Sequence, residues 1–171
     1  MLAPPSAPLR DEVVLLRAWR VEDRERVVAV LQDPDIPRWT SVPSPYRQGH
    51  YDAWMEVQHE QLAAGVGLHF LVVDMAGQLL GAAGVQRTEA APDIGYWCVR
   101  EHRGQGYTTR AVRLLAAHVR ALGFQRVDIY VHEENTASQR VAAAAGFTRI
   151  AGTMAVERLG GEPVYARFTL P

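Results

Sequence analysis

The sequence contains no lysine: all 18 of its basic residues are arginine. A P-loop, whose lysine reaches the terminal phosphates of a nucleotide, is therefore excluded. Chemistry through a lysine Schiff base is excluded too. Cysteine occurs once, as Cys98. A single thiol makes neither an internal disulfide nor a four-thiolate metal site. Neither sign of charge is in excess, since 18 basic residues face 19 acidic ones for a formal charge of −1. No bulk field favours nucleic acid. Long apolar runs are also missing; none reaches the length of a membrane span. The proline-rich opening, Met1 to Pro8, lacks the apolar core of a signal peptide. These absences predict a cytoplasmic protein with no nucleic-acid or membrane partner.

What is present is a good supply of core residues. Apolar side chains make up 48% of the chain, ample for one core in 171 residues. Residues 1–10 read as a loose tail, and residues 11–171 as one domain. Val13–Trp19 has strand character. A first helix should start near Glu22 and Asp23, acids suited to a helix N-terminus, and stop before Pro34. Residues 33–49 hold four prolines and little periodicity, which predicts a long loop. A second helix is expected over 48–64, ended by Gly65–Gly67. Two strands, His69–Asp74 and Leu79–Arg87, are joined by a turn at Ala76–Gln78. Further strands are expected at 127–132, 147–154 and 164–170. A short helix should cover 135–145, capped by Asn135 or Thr136 and by Gly146.

The densest signal lies in residues 93–122. A β-type run ends near Val99, a basic glycine-punctuated turn spans 100–106, and a helix follows with Ala111, Leu115, Val119 and Leu122 on one side. The first amides of a helix have no intrahelical partner, and the turn glycines carry no Cβ to obstruct a ligand. A phosphate is therefore expected on residues 103–108. A dinucleotide fingerprint would use Gly104 and Gly106, with Asp128 downstream. Its third glycine is replaced by Thr109, and the motif stands too late in the chain for a first strand–helix turn.

The other reading rests on Arg103-Gly-Gln-Gly106-Tyr-Thr108. This stretch resembles the pyrophosphate loop of the GNAT superfamily of acetyl-CoA-dependent acetyltransferases. Arg103 and Gly106 match that pattern, and Thr108 is larger than the usual final residue. Asp93-Ile-Gly-Tyr-Trp97 before the loop and Asn135-Thr-Ala-Ser138 with Ala145-Gly-Phe147 after it stand at the family spacing. Within the superfamily the chain is most similar to the RimJ/RimL group, on Leu16-Arg17, Arg38-Trp39-Thr40 and Pro45-Tyr46. The resemblance covers roughly residues 10–170.

It implies an α/β fold: a mixed, mostly antiparallel sheet of about six to seven strands with about four helices. Two parallel strands, about 93–99 and 127–132, should splay apart and admit acetyl-CoA. The cofactor-binding set implied is Trp97, Cys98, Val99, Arg103, Gly104, Gln105, Gly106, Tyr107, Thr108, Asn135 and Ser138. The pantetheine would pair with the backbone near Cys98 and Val99 like an added strand. Arg100 and Arg110 flank the loop and are further phosphate partners, although the group usually has Glu at the position of Arg110.

Acetyl transfer to an amine needs a neutral amine, alignment, stabilisation of the thioester oxygen and a proton for the departing thiolate. Val99 N–H is expected to face that oxygen. The tyrosine acid common in the superfamily would stand at Ala142 and is absent. The RimJ/RimL-like pattern puts a serine in that role, here Ser138; the alternative is that Ser138 only packs the first helical turn. Asn135 is likewise a helix cap, a pantetheine partner, or both. An α-amine titrates near 8, so only a weak base is needed. Asp93 is the first choice, against a solvated strand-end acid; His69 is a half-buried strand residue or a second base. Cys98 reads as packing beside the cofactor sulfur. His59-Glu60 and His132-Glu133 begin like the zinc helix motif but lack its second histidine, so no metal is expected.

The acceptor should enter opposite the cofactor, past residues 36–47, the second helix and the turn at 152–163. Trp39, Tyr46 and Tyr51 are expected to wall its pocket, with Trp54 assigned to the core. A protein N-terminus, a polyamine, an amino acid and an aminoglycoside all remain open, as does a non-catalytic acyl-CoA-binding module. The chain is expected to be a monomer or homodimer.

Overall fold

The computed structural model describes residues 1–156 and 164–171. Its centre is a mixed sheet. The strands are β1 (Leu9–Arg10), β2 (Val14–Arg17), β3 (Gly67–Asp74), β4 (Leu79–Arg87), β5 (Pro92–Cys98), β6 (Val127–His132), β7 (Thr148–Arg149), β8 (Met154–Ala155) and β9 (Val164–Leu170). The helices are α1 (Arg24–Val30), α2 (Asp35–Trp39), α3 (Gln48–Ala64), α4 (Tyr107–Ala121) and α5 (Thr136–Ala144). The sheet order is β1-β2-β3-β4-β5-β6-β9-β7, with β8 also on β9. Every pairing is antiparallel except β5 with β6.

Alternation along the strands sorts two apolar layers. Leu68, Phe70, Val85, Ile94, Val127 and Ile129 face α4 and α5. Leu71, Leu79 and Ala82 face the opposite layer, with Val27, Ile36 and Tyr51 from α1, α2 and α3. α4 supplies a complete buried side, Ala111, Val112, Leu115, Ala116 and Val119, at helical spacing. At the β2–α1 corner, Arg17 Nη2 lies 2.6 Å from Asp23 Oδ1. The acid expected to favour the helix start is thus held as a buried ion pair.

The expected mixed sheet with splayed parallel strands is the observed one, and the element count is larger. Nine strands and five helices among the described residues stand in place of about six to seven and about four. The additions are short. α2 lies inside the expected long loop, where Ile36 buries a side chain. The strand expected at 147–154 is two separate pairs on β9. The first ten residues are not loose: Leu2 is buried, its N–H donates to Gly65 O at 2.9 Å, and Leu9–Arg10 pairs with β2. Part of the turn expected at 152–163 lies outside the described residues.

Candidate active site

β5 and β6 meet at one register pair only, Asp93 with Asp128. Beyond it β5 stays on β4 as far as Cys98, while β6 stays on β9 as far as His132. The two strands therefore part and leave a gap between them. Val99 N–H donates to Leu80 O at 2.9 Å, and His102 N–H donates to Val99 O at 3.0 Å. Val99 is thus committed on both backbone groups and is not the free donor expected for a thioester oxygen. Hydrogen bonding alternates along an antiparallel pair. Trp97 shares the β4-facing side with Val99, so the backbone groups of Tyr96 and Cys98 face the gap.

The turn after β5 has the geometry its sequence predicts. Gly104 and Gly106 adopt φ of +74° and +82°, and a Cβ at either would meet nothing within 4 Å. α4 has no side-chain cap at its N-terminus, and Arg110 N–H is the first to bond back, to Gly106 O at 3.1 Å. The amides of residues 107–109 thus precede the first intrahelical bond and stand at the positive end of a helix of 15 residues. Thr108 hydrogen-bonds the Cys98 thiol; burial pushes that thiol up, partly offset by this bond and the charge of Arg103. Gln105 is anchored on Glu101 O at 3.0 Å, and Tyr107 packs on the core beside His102.

The arginines are not free surface charges. Arg103 lies 2.5 Å from Asp33 and 2.9 Å from Asp35, while Arg100 lies 2.5 Å and 3.3 Å from the same two acids. Burial works to raise the Asp33 carboxyl. The Arg100 hydrogen bond, the Asp35 amide and the charge of Arg103 outweigh it and hold the carboxyl below the usual range. Arg110 turns away from the loop to Asp11 at 2.8 Å and Glu12 at 2.7 Å, so its side chain serves the N-terminal segment.

On the α4/α5 side of the gap, Asn135 Oδ1 accepts from Ser138 N–H at 3.0 Å and caps α5. Ser138 Oγ is 2.8 Å from the Tyr96 hydroxyl, which also lies 3.1 Å from Ser138 O. Burial pushes the Tyr96 phenol up to about 12. Asp93 projects from the opposite face of β5, because it alternates with the core residue Ile94. It is buried, as is Asp128 beside it; Arg126 Nη2 lies 3.2 Å from Asp128 Oδ2. Ser138 and Asp93 therefore stand on opposite faces of the sheet, with Asp93 at the closed end of the gap.

The expected acceptor wall is only partly assembled. Trp39 is half-buried with its ring 5.1 Å from that of His132, at the end of β6. Tyr51 is fully buried and donates to Arg20 O at 2.6 Å. Tyr46 is buried in the same layer. Both tyrosines are core: Tyr51 on the side of α3 that packs on the sheet, and Tyr46 in the segment leading into α3. Trp54, assigned to the core, is half-buried with its ring edge on His69 at 4.7 Å. Sequence reasoning missed Tyr96 and the Asp33–Asp35 pair. Period-two alternation puts Tyr96 on the Ile94 face, which is the legible part of that signal; nothing local marks the two aspartates.

Residues 14–148 match the family model described as an acetyltransferase (GNAT) domain. This chain belongs to the GNAT acetyltransferases. It is an acyltransferase, and its acetyl donor is acetyl-CoA. A curated relative, an N-acetyltransferase p20 of uncharacterised role from Bacillus licheniformis, is 22% identical over 147 residues, 82% of each chain. Two solved structures share the fold. RimL, a ribosomal L7/L12 alpha-N-protein acetyltransferase solved with coenzyme A, aligns with a TM-score of 0.81 at 20% identity, covering 96% of this chain and 97% of its own. A spermidine N-acetyltransferase from Vibrio cholerae, solved with CoA and spermine, aligns with a TM-score of 0.71 at 19% identity, covering 92% and 94%. The GNAT site suits the donor on its own geometry: open α4 amides, a turn without Cβ atoms, and inner backbone groups on a parted strand. Among the described residues no helix is long and apolar enough to cross a membrane.

Proposed function

We propose that this GNAT enzyme acetylates the α-amine of a protein or peptide N-terminus by direct attack in a ternary complex. The observation that carries the proposal is the placement of Asp93 and Ser138 on opposite faces of the sheet, Asp93 at the closed end of the β5–β6 gap and Ser138 beside Tyr96. An amine approaching over the Asp93 face meets the thioester carbon while the sulfur lies toward Ser138. The amine nitrogen forms the new C–N bond as the C–S bond breaks. Asp93, directly or through water, takes the proton the nitrogen gives up. Ser138 turns its hydroxyl from Tyr96 to the departing sulfur and gives it the proton with which it ends as a thiol, and Ser138 is reprotonated from solvent. Amides 107–109 hold the diphosphate, with Arg103 beside them, and the inner backbone groups of Tyr96 and Cys98 pair with the pantetheine. Trp39 borders the acceptor path. The likeness to RimL, at a TM-score of 0.81 against 0.71 for the spermidine N-acetyltransferase, favours a protein α-amine over a polyamine.

The test uses peptides with a free N-terminus, the same peptides blocked at the N-terminus but carrying a lysine, and spermidine. Each is incubated with acetyl-CoA and the full chain while free thiol is followed. The proposal expects turnover of the free α-amines alone. Turnover of spermidine with inert peptides would replace it with polyamine acetylation. CoA binding without any turnover would leave a binding module.

A further inference from the structure

His69, Gly84 and Gly95 are register partners across β3, β4 and β5. They lie on the face that carries Leu71 and Ala82, the acceptor side of the gap. His69 has a defined orientation. Its Nε2 is 2.6 Å from Gln61 Oε1, which also receives Gln86 Nε2 at 3.4 Å. An amide oxygen only accepts, so Nε2 carries the proton and Nδ1 carries the lone pair. Trp54 packs its edge on the ring at 4.7 Å. Burial drops this imidazole to about 4, so it is neutral at cellular pH.

The Nδ1 edge of the ring lies over the neighbouring strand. A Cβ built on Gly84 would fall 2.4 Å from His69 Nδ1, so the ring edge leans over that glycine. One strand further, Gly95 is exposed, and a Cβ there would meet nothing within 4 Å. No protein side chain therefore stands at these two positions between Nδ1 and the gap. Trp97 and Ala82 flank this line on one side, and Asp93 and Gln86 on the other. Among the described residues, no donor is within hydrogen-bonding distance of Nδ1.

We propose that His69 is a specificity-determining residue for the acceptor: Nδ1 accepts a hydrogen bond from an N–H of the substrate that lies across Gly95. The acceptor is then an amine with a second donor close to the reacting nitrogen. Adjacent strands lie about 4.8 Å apart, so that donor must lie within one strand spacing of the amine. In a peptide it is the amide N–H of the second residue. A simple monoamine has no such group. This inference rests on the N-terminal acetylation proposed above, and it adds which part of the peptide is read.

The test is a two-by-two comparison on the full chain. The wild type and His69→Phe are each assayed with a peptide of free N-terminus and with the same peptide N-methylated at its first peptide bond. The wild type should favour the N–H peptide by about tenfold in kcat/KM, the scale of one hydrogen bond. His69→Phe should lose most of that preference while binding CoA as before. An unchanged preference in His69→Phe overturns the role of His69. Gly95→Ala is the second variant, because its methyl group enters space the protein does not use. It should raise the peptide KM by about tenfold with the CoA Kd and thermal midpoint unchanged, the same scale. Unchanged peptide kinetics in Gly95→Ala overturns the path over β5. If the wild type does not acetylate the free peptide at all, the reading beneath both falls first, before either variant is compared.

Discussion

Ser138 and Tyr96 share a proton count that fixes what each does. A carbonyl oxygen only accepts, so the single phenolic proton of Tyr96 goes to Ser138 O at 3.1 Å. The Ser138 hydroxyl then donates to the Tyr96 oxygen at 2.8 Å. Tyr96 thus holds the serine side chain beside the gap without itself touching the amine. Tyr96→Phe should lower kcat by roughly tenfold, equivalent to about 1.4 kcal/mol, and leave the CoA Kd unchanged. Stability should fall by about 1 kcal/mol for the lost hydrogen bond. Steady-state kinetics, calorimetry and urea unfolding separate the three. An unchanged kcat would remove Tyr96 from the mechanism. His69 makes a pH prediction. Its folded value, about 4, lies below the 6.5 of a free imidazole. Below about 6.5 the unfolded chain takes up a proton that the native chain does not. Stability should therefore hold above that pH and decline as pH falls toward 4. Urea midpoints across this range should show the slope, and His69→Phe should flatten it.

At the level of elements, the ion pairs of Arg100 and Arg103 join the phosphate turn to the α1–α2 connection. Asp33 is largely buried at 8% side-chain exposure, while Arg100 is 54% exposed. Such a pair is screened by salt and contributes little stability by itself. Its consequence is for binding, because Asp33 and Asp35 place two negative charges beside the turn proposed to receive the diphosphate. Asp33→Asn should tighten CoA severalfold at low ionic strength by releasing Arg103 and removing repulsion. The gain should vanish near 0.5 M salt, on the order of a few ångströms of Debye length. Calorimetric titration at two salt concentrations checks this; weaker CoA binding by Asp33→Asn would mean that the acids pre-orient the arginines instead.

Across the whole molecule, the N-terminal segment is a structural member. Leu2 is 2% exposed and belongs to the layer under α4. Ala3 O accepts from His118 Nε2 at 2.8 Å, and Asp11 with Glu12 holds Arg110. The segment therefore touches α3, α4 and β2 and braces the helix that follows the 103–106 turn. Leu2→Ala should cost about 2–5 kcal/mol, the range for a buried leucine that leaves a cavity. Urea unfolding monitored by tryptophan fluorescence measures it, and a loss under about 0.5 kcal/mol would return the segment to a surface role.

The sequence by itself determined whatever depends on neighbours in the chain. The strand–turn–helix over 93–122 is legible because Gly104 and Gly106 supply the turn and α4 repeats its apolar residues at helical spacing. Asn135 capping α5 is legible for the same reason, since its partner amide is three residues away. Family membership followed from these local patterns. Only the tertiary structure decided matters set by long-range pairing. Val99 is spent on Leu80, 19 positions earlier (99 − 80), a consequence of sheet register. Tyr51 is core and Trp54 half-buried because α3 docks with one side on the sheet. Arg103 meets Asp33 across 70 residues, and Tyr96 meets Ser138 across 42. Local sequence sets backbone conformation through sterics and short hydrogen bonds. Which side chains meet is set by the packing of elements distant in sequence, and the candidate site of this enzyme is made of such meetings.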